Sequence, residues 1–210
     1  MSKKQKEEYE MKVITLGETD VGKTSIIKRY INNIFEENTF STIGLNFNFK
    51  KVKLKNGKSI NIKLIDTAGQ EKYRAIIKSY FKNVDAVLFI FSLDNKDSFD
   101  KMIGWINLFN ENRNGKEGIP RYFIGNKADK EKKVQKDEID EFINQNNIKY
   151  YETSAKDNTG IDELFQDLSE DLYKILVETG GNNKSQNTKK IRNYKNKKQK
   201  SNCIWTIKQV

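Results

Sequence analysis

Residues 11–33 read MKVITL, GETDVGKT and SIIKRYINN in succession, and this segment narrows the possible folds more than any other. The apolar, β-branched run Met11–Leu16 stops at Gly17 and predicts a buried strand. Thr24–Asn33 carries Ile26, Ile27, Tyr30 and Ile31 on one side and predicts a helix. Between them stands G-x-x-x-x-G-K-T. A glycine-rich turn from strand to helix aims backbone N–H groups and a helix N-terminus at one point, which suits phosphate oxygens. In such a loop Lys23 reaches the β- and γ-phosphates and the Thr24 hydroxyl holds Mg²⁺, while Thr19, Asp20, Val21, Gly22 and Ser25 complete the cradle. Alone, the pattern specifies nucleotide binding and nothing finer. An ordinary Gly-rich turn is the plain alternative.

The remaining elements predict an α/β fold. Leu45–Lys55 alternates apolar with polar residues, Asn56-Gly57 follows, and Ser59–Ile65 makes a second run, which together signal a hairpin. Further strands are expected at Ala86–Leu93, at RYFIG after Pro120, and at KYYETS (149–154). Helices are expected over Ser98–Asn110, Lys136–Gln145 and Ile161–Val177, the last capped by Gly180-Gly181. Strands alternating with helices give a six-stranded, mostly parallel sheet, with one antiparallel edge strand from the hairpin and helices on both faces.

Charge divides the chain. The formal net charge is +10, but nine of the 39 Lys and Arg lie in residues 181–210 without one acid, leaving 30 against all 29 Asp and Glu. The basicity belongs to the tail, which argues against a nucleic-acid-binding face on the folded part. Residues 1–10 read as a charged extension, 11–178 as the domain, and 179–210 as a disordered basic tail. One cysteine excludes an intrachain disulfide, MSKKQKEEYE is too charged for a signal peptide, and the longest apolar run, Ala86–Phe91, is too short to span a bilayer. A cytoplasmic protein is expected, with peripheral membrane contact only through the tail.

Three further motifs follow strands. Asp66-Thr67-Ala68-Gly69-Gln70 ends the apolar run NIKLI: Asp66 is a second anchor for Mg²⁺, Gly69 brings an N–H to the γ-phosphate, and Gln70 orients a water for in-line attack. Asn126-Lys127-Ala128-Asp129 follows RYFIG. One carboxylate there accepts both N1–H and the 2-amino group of guanine, but is left unpaired against adenine. Ser154-Ala155-Lys156 closes the base pocket from the neighbouring loop. Four ordered motifs at the C-terminal ends of predicted strands occupy the edge where open α/β sheets bind ligands.

GETDVGKT, STIG (41–44), DTAGQE (66–71), NKAD (126–129) and ETSAK (152–156), in this order, resemble a small GTPase of the Ras superfamily, over residues 11 to 178. STIGLNF, QEKYRAI, KSYF and the hairpin are most similar to the Rab branch. The short interval from Asp129 to Glu138 leaves no room for the extra helix of the Rho branch, and the tail lacks the acidic end of the Ran branch. The resemblance implies that Phe35 packs on guanine and that Thr42 binds Mg²⁺ and the γ-phosphate in the GTP state. Residues 36–44 and 68–80 would be switches held by the γ-phosphate. Effectors would read residues 36–49 and 68–80, and a GTPase-activating protein and an exchange factor would act as regulators. The activity implied is GTP hydrolysis by a regulator of vesicle trafficking, with Lys23, Thr42, Gly69 and Gln70 as its catalytic residues.

The chain departs from this pattern in three places. Ile65 stands where Rab proteins carry Trp, which is expected to alter the aromatic patch of Phe47 and Tyr80. Cys203 is followed by seven residues, which is neither a C-a-a-X box nor a terminal pair. The tail reads either as unmodified and solvated, or as two weak membrane signals, an acyl chain on Cys203 and nine basic residues. Asp20 sits beside the expected β-phosphate. A charge about 6 Å from phosphate at an effective dielectric near 20 costs roughly 2–3 kcal/mol before screening. Asp20 is therefore expected to loosen nucleotide, unless a nearby Lys pairs with it.

None of the five Arg lies between Ile31 and Gly44, so the first switch supplies no arginine and slow intrinsic hydrolysis is expected. Three alternatives compete. A phosphate-transfer kinase shares the loop but has no use for NKAD. A binding module that stays loaded, through slow hydrolysis or through fast exchange at Asp20, would share every motif. So would a Ras-type signalling GTPase.

Overall fold

The computed structural model describes residues 10–37, 41–113, 118–146 and 148–178. The described residues up to Leu172 form one compact unit, and the second, from Tyr173, is described only to Glu178. The six strands are β1 (Glu10–Leu16), β2 (Leu45–Lys53), β3 (Ser59–Thr67), β4 (Ala86–Ser92), β5 (Arg121–Asn126) and β6 (Lys149–Glu152). They lie in the order β2-β3-β1-β4-β5-β6, every pair parallel except β2 with β3. Chain order reverses direction at β1, between β3 and β4, so the loop after β1 opens at the switch point where such sheets bind ligands.

The helices are α1 (Lys23–Asn32), α2 (Arg74–Lys78), α3 (Lys96–Asp100), α4 (Met102–Asn112), α5 (Lys136–Asn146) and α6 (Ile161–Glu178). Strand residues of one parity, among them Ile14, Ile65, Phe89, Phe91 and Phe123, pack with Ile77 of α2, Trp105 and Phe109 of α4 and Ile139 of α5. On the opposite face Tyr30 of α1 stacks on Phe165 of α6 at 3.7 Å, and the Tyr122 hydroxyl of β5 donates to Asp171 of α6 at 2.6 Å. β4 is buried along its whole length, as a central strand covered on both faces must be.

Two local expectations change, and the expected hairpin gains a defined turn. The helix expected over Ser98–Asn110 is two helices: at Lys101 ψ is −5°, and Gly104 N–H bonds back only three residues, to Lys101 O at 3.1 Å. Asn95 caps the first, its side chain accepting from Ser98 N–H at 3.3 Å. The hairpin turns through Lys55–Gly57, with Gly57 N–H on Leu54 O at 2.9 Å and φ +78° at Gly57 alone, the three-residue form that ends in a left-handed glycine. The strand expected over 149–154 stops at Glu152, which releases Thr153 and Ser154 to bond sideways. The Gly180-Gly181 cap and the tail lie outside the described residues.

Phe109 is fully buried and meets Phe81 at 5.2 Å and Phe89 at 6.0 Å, edge to face. Phe109→Ala is expected to lower stability by about 3–5 kcal/mol, read from the midpoint of urea unfolding.

Candidate nucleotide-binding site

The phosphate loop is shaped by close approaches. At Gly17 (φ +151°) a Cβ would lie 2.0 Å from Ile90 O, and at Gly22 (φ +92°) it would lie 2.2 Å from the Asn126 side-chain nitrogen. Neither position admits a side chain. Lys23 points back under the loop, its ammonium donating to Gly17 O at 3.0 Å and Glu18 O at 2.6 Å. Burial pushes its pKa down to about 8, against the opposing pull of Asp66, Glu18 and Asp20.

A cleft opens above this lysine. Thr19, Asp20, Gly22, Lys23, Thr24 and Ser25 line it from the loop and α1, Ser41 and Thr42 from the segment before β2, and Thr67, Gly69 and Gln70 from the end of β3. Three oxygen-bearing side chains converge in it: Thr24 Oγ1 lies 2.7 Å from Thr42 Oγ1 and donates to Asp66 Oδ2 at 2.8 Å. Asp66 Oδ1 is buried with no hydrogen-bond partner. Burial raises the pKa of this carboxyl, against the Thr24 hydrogen bond and the charges of Lys23 and Lys28. Thr67 fixes Asp66 to the sheet, its hydroxyl donating to Thr15 O at 2.7 Å. Gly69 passes so close to the loop that a Cβ would meet Glu18 C and Thr19 N at 2.3 Å. Val21 is buried, and its carbonyl accepts from the Asn126 side chain at 2.9 Å.

The second half of the site stands at the ends of β5 and β6. Thr153 Oγ1 donates to Asn126 Oδ1 at 3.1 Å, Ser154 Oγ donates to Asp129 Oδ1 at 2.7 Å, and Ala155 is buried beside them. Ala128 N–H bonds to Thr153 O at 3.0 Å, which locks the two loops together. Phe35 is half-buried in the loop after α1, and Lys156 reaches Glu37 at 3.2 Å. Residues 38–40, within the expected first switch, lie outside the described residues. Ser41 and Thr67 line the cleft without having been singled out; their only signal was adjacency to Thr42 and Asp66.

A sequence model described as the Ras family matches residues 12–174. The chain belongs to the Ras family. Its relatives include Ras-related protein Rab-13 of Bos taurus, 33% identical over 85% of this chain and 86% of the relative. Ras-related protein Rab-10 of Diplobatis ommata is 34% identical over 78% and 81%, and GTP-binding protein ypt1 of Schizosaccharomyces pombe is 32% identical over 84% of each. This Ras-family chain is a GTP hydrolase that works as a Rab-like switch in vesicle trafficking.

Two departures from the family pattern take a different form in three dimensions. Ile65 is the direct cross-strand partner of Phe47 in the β2–β3 ladder, so it lies beside Phe47 on the same face, but at 2% exposure it is buried and adds nothing to the exposed aromatic patch. The surface consists of Phe47, 5.7 Å from Tyr80, and Phe49, with the Lys63 ammonium 4.4 Å over the Phe47 ring. Asp20 adopts φ +63°, and its side chain is 90% exposed and paired with Lys127 at 3.2 Å. Solvent and the lysine screen the charge that was expected to repel phosphate.

Asp20→Gly is therefore expected to slow GDP release by less than tenfold at 0.15 M salt, in a stopped-flow assay with fluorescent nucleotide. A hundredfold slowing would show that the carboxylate faces the phosphate.

Proposed function

We propose that this GTPase binds Mg²⁺–GTP between the two halves of the site, hydrolyses it slowly by itself, and signals through the surface that the switches build. The convergence of Thr24, Thr42 and Asp66, with one buried carboxylate oxygen left unpartnered, is the observation that carries the reading. An orphaned buried acceptor is costly, and a hydrated cation satisfies it. Among the described residues no cluster of three or more His, Cys, Asp or Glu exists, so the donor set is one carboxylate and two hydroxyls. That set suits Mg²⁺, which keeps waters and takes its remaining ligands from phosphates. When bound, Mg²⁺ neutralises charge on the β- and γ-oxygens.

In this reading each residue has a defined role. Lys23, with the N–H groups of Thr19 to Ser25, holds the phosphates, Gly69 meets the γ-phosphate, and Gln70 orients the attacking water. Asp129 selects guanine, Asn126 and Lys127 join its loop to the phosphate loop, Ser154, Ala155 and Lys156 close the pocket, and Phe35 packs on the base. Arg74 supplies no arginine in cis: it faces Glu18 at 3.5 Å and lies 5.0 Å over Trp105. A GTPase-activating protein therefore supplies the missing charge, and an exchange factor releases GDP. Effectors bind residues 36–49 and 68–80, where Ile43, Phe49 and Ile76 are at least half exposed. No helix among the described residues is long and apolar enough to cross a membrane, so membrane contact falls to the basic tail and Cys203, both outside the described residues.

Denaturing the purified protein and identifying the released nucleotide tests the reading: near-stoichiometric GDP is expected, and an adenine nucleotide would overturn it. Chelating divalent cations with EDTA should speed GDP release at least tenfold in the wild type and add little in Asp66→Ala. An identical EDTA response in both would remove Asp66 from the metal site. Gln70→Leu is expected to lower single-turnover hydrolysis at least tenfold while GDP release stays unchanged.

A further inference from the structure

Arg29 lies on α1 and is not among the residues that line the cleft. Its guanidinium nevertheless makes four hydrogen bonds, all to loops that flank the base. Nε donates to Ala155 O at 2.7 Å and Nη2 to Lys156 O at 2.9 Å. Nη1 donates to Asn33 O at 3.1 Å and to Asn33 Oδ1 at 3.0 Å. Asn33 is the left-handed residue that ends α1 (φ +56°), and its own N–H bonds to Arg29 O at 2.9 Å. One side chain thus ties the loop 154–156 to the turn that leads into Phe35.

The bonds to Ala155 and Lys156 do more than attach the loop. In a trans peptide the C=O and the next N–H point in opposite directions. Drawing Ala155 O toward α1 therefore turns Lys156 N–H away from α1. Drawing Lys156 O the same way turns Asp157 N–H inward, where it bonds to Ser154 Oγ at 3.0 Å. With its acceptor role filled, that hydroxyl directs its proton to Asp129 Oδ1 at 2.7 Å. A continuous chain runs from Arg29 through the Lys156–Asp157 peptide and Ser154 to the Asp129 carboxylate.

We infer that Arg29 is a positioning residue for base recognition: through this chain it sets the orientation of Asp129 and so the preference for guanine. The inference rests on the reading of Asp129 as the guanine-selecting carboxylate. A planar guanidinium is needed, because three fixed nitrogens serve four oxygens on two separate loops. A lysine in its place has one point charge, which reaches one loop at a time. The exposed Lys156–Glu37 pair spans a similar gap but contributes little, being solvated on both sides.

The test compares GDP with IDP, whose hypoxanthine base keeps the 6-oxo group and N1–H but lacks the 2-amino group. Dissociation constants for both are measured by competition against fluorescent GDP, on wild type, Arg29→Ala, Arg29→Lys and Ser154→Ala. Wild type should prefer GDP at least tenfold. In Arg29→Ala the GDP/IDP preference should fall at least threefold and GDP should dissociate several-fold faster, with Arg29→Lys between the two. Ser154→Ala, which breaks the chain from its other end with Arg29 in place, should reduce the preference to a similar degree. It keeps the test decisive even where Arg29→Ala fails to fold. A merely structural role for Arg29 would weaken GDP and IDP equally, and an unchanged ratio in Arg29→Ala or in Ser154→Ala overturns the inference. A wild type with no preference between the two overturns instead the reading of Asp129 itself.

Discussion

At the start of α1 the Lys23 ammonium leaves water, and two backbone carbonyls, Gly17 O and Glu18 O, replace its hydration. A buried cation is tolerated only when oxygens surround it, and here they come from a loop that would otherwise have no reason to curl inward. The loop in turn requires glycine at residues 17 and 22, because the β4 backbone at Ile90 and the side chain of Asn126 fill the space a Cβ would need. Lysine, loop and the strands beneath therefore specify one another. In the proposed reading a phosphate entering the cleft meets a positive charge whose desolvation has already occurred during folding, which is the sense in which the site is preorganised.

The same packing explains why the two halves of the site form one unit. Asn126 uses its amide nitrogen on Val21 O and its amide oxygen on the Thr153 hydroxyl, so a single buried side chain joins the phosphate loop, the end of β5 and the end of β6. In the proposed reading phosphate and base recognition are then not separable modules. A shift in the base loops reaches the phosphate loop through Asn126, and the reverse holds equally.

Much of this was legible in the sequence, for a physical reason: motifs at strand ends need short-range features that leave a local mark. Glycines at fixed spacing, a carboxylate closing an apolar run and an Asn-Gly pair are such marks. Ile65, Asp20 and Arg29 leave none. Ile65 is buried because the register sets it beside Phe47 on the face that packs into the core, and register is a property of the paired strands. Asp20 meets Lys127, a partner 107 residues away. Arg29 sits five residues past Thr24 as a polar position of an ordinary amphipathic helix, and its carbonyl partners on the 154–156 loop lie more than 120 residues on. The break at Lys101 was equally hidden, since a helical reading of Ser98–Asn110 does not reveal one peptide with ψ near zero.

Glu18 shows how the cradle connects to the moving parts. Its carbonyl serves Lys23, while its carboxylate accepts the Trp105 indole N–H at 2.8 Å and faces Arg74 at 3.5 Å and Lys101 at 3.6 Å. Its backbone also forms the wall against which Gly69 passes. One residue of the loop thus touches Lys23, which meets phosphate in the proposed reading, Gly69, where the proposed second switch opens, and Arg74, which begins α2. The contact at Gly69 is steric and short-ranged, so it allows only small displacements before backbone atoms collide. The pairing with Arg74 is half-exposed and held at longer range, so it yields more readily. In the proposed reading, a change at the γ-phosphate position is therefore transmitted rigidly at Gly69 and loosely at Arg74. On that reading the start of the proposed second switch follows the nucleotide, while α2 keeps the freedom to take a different partner.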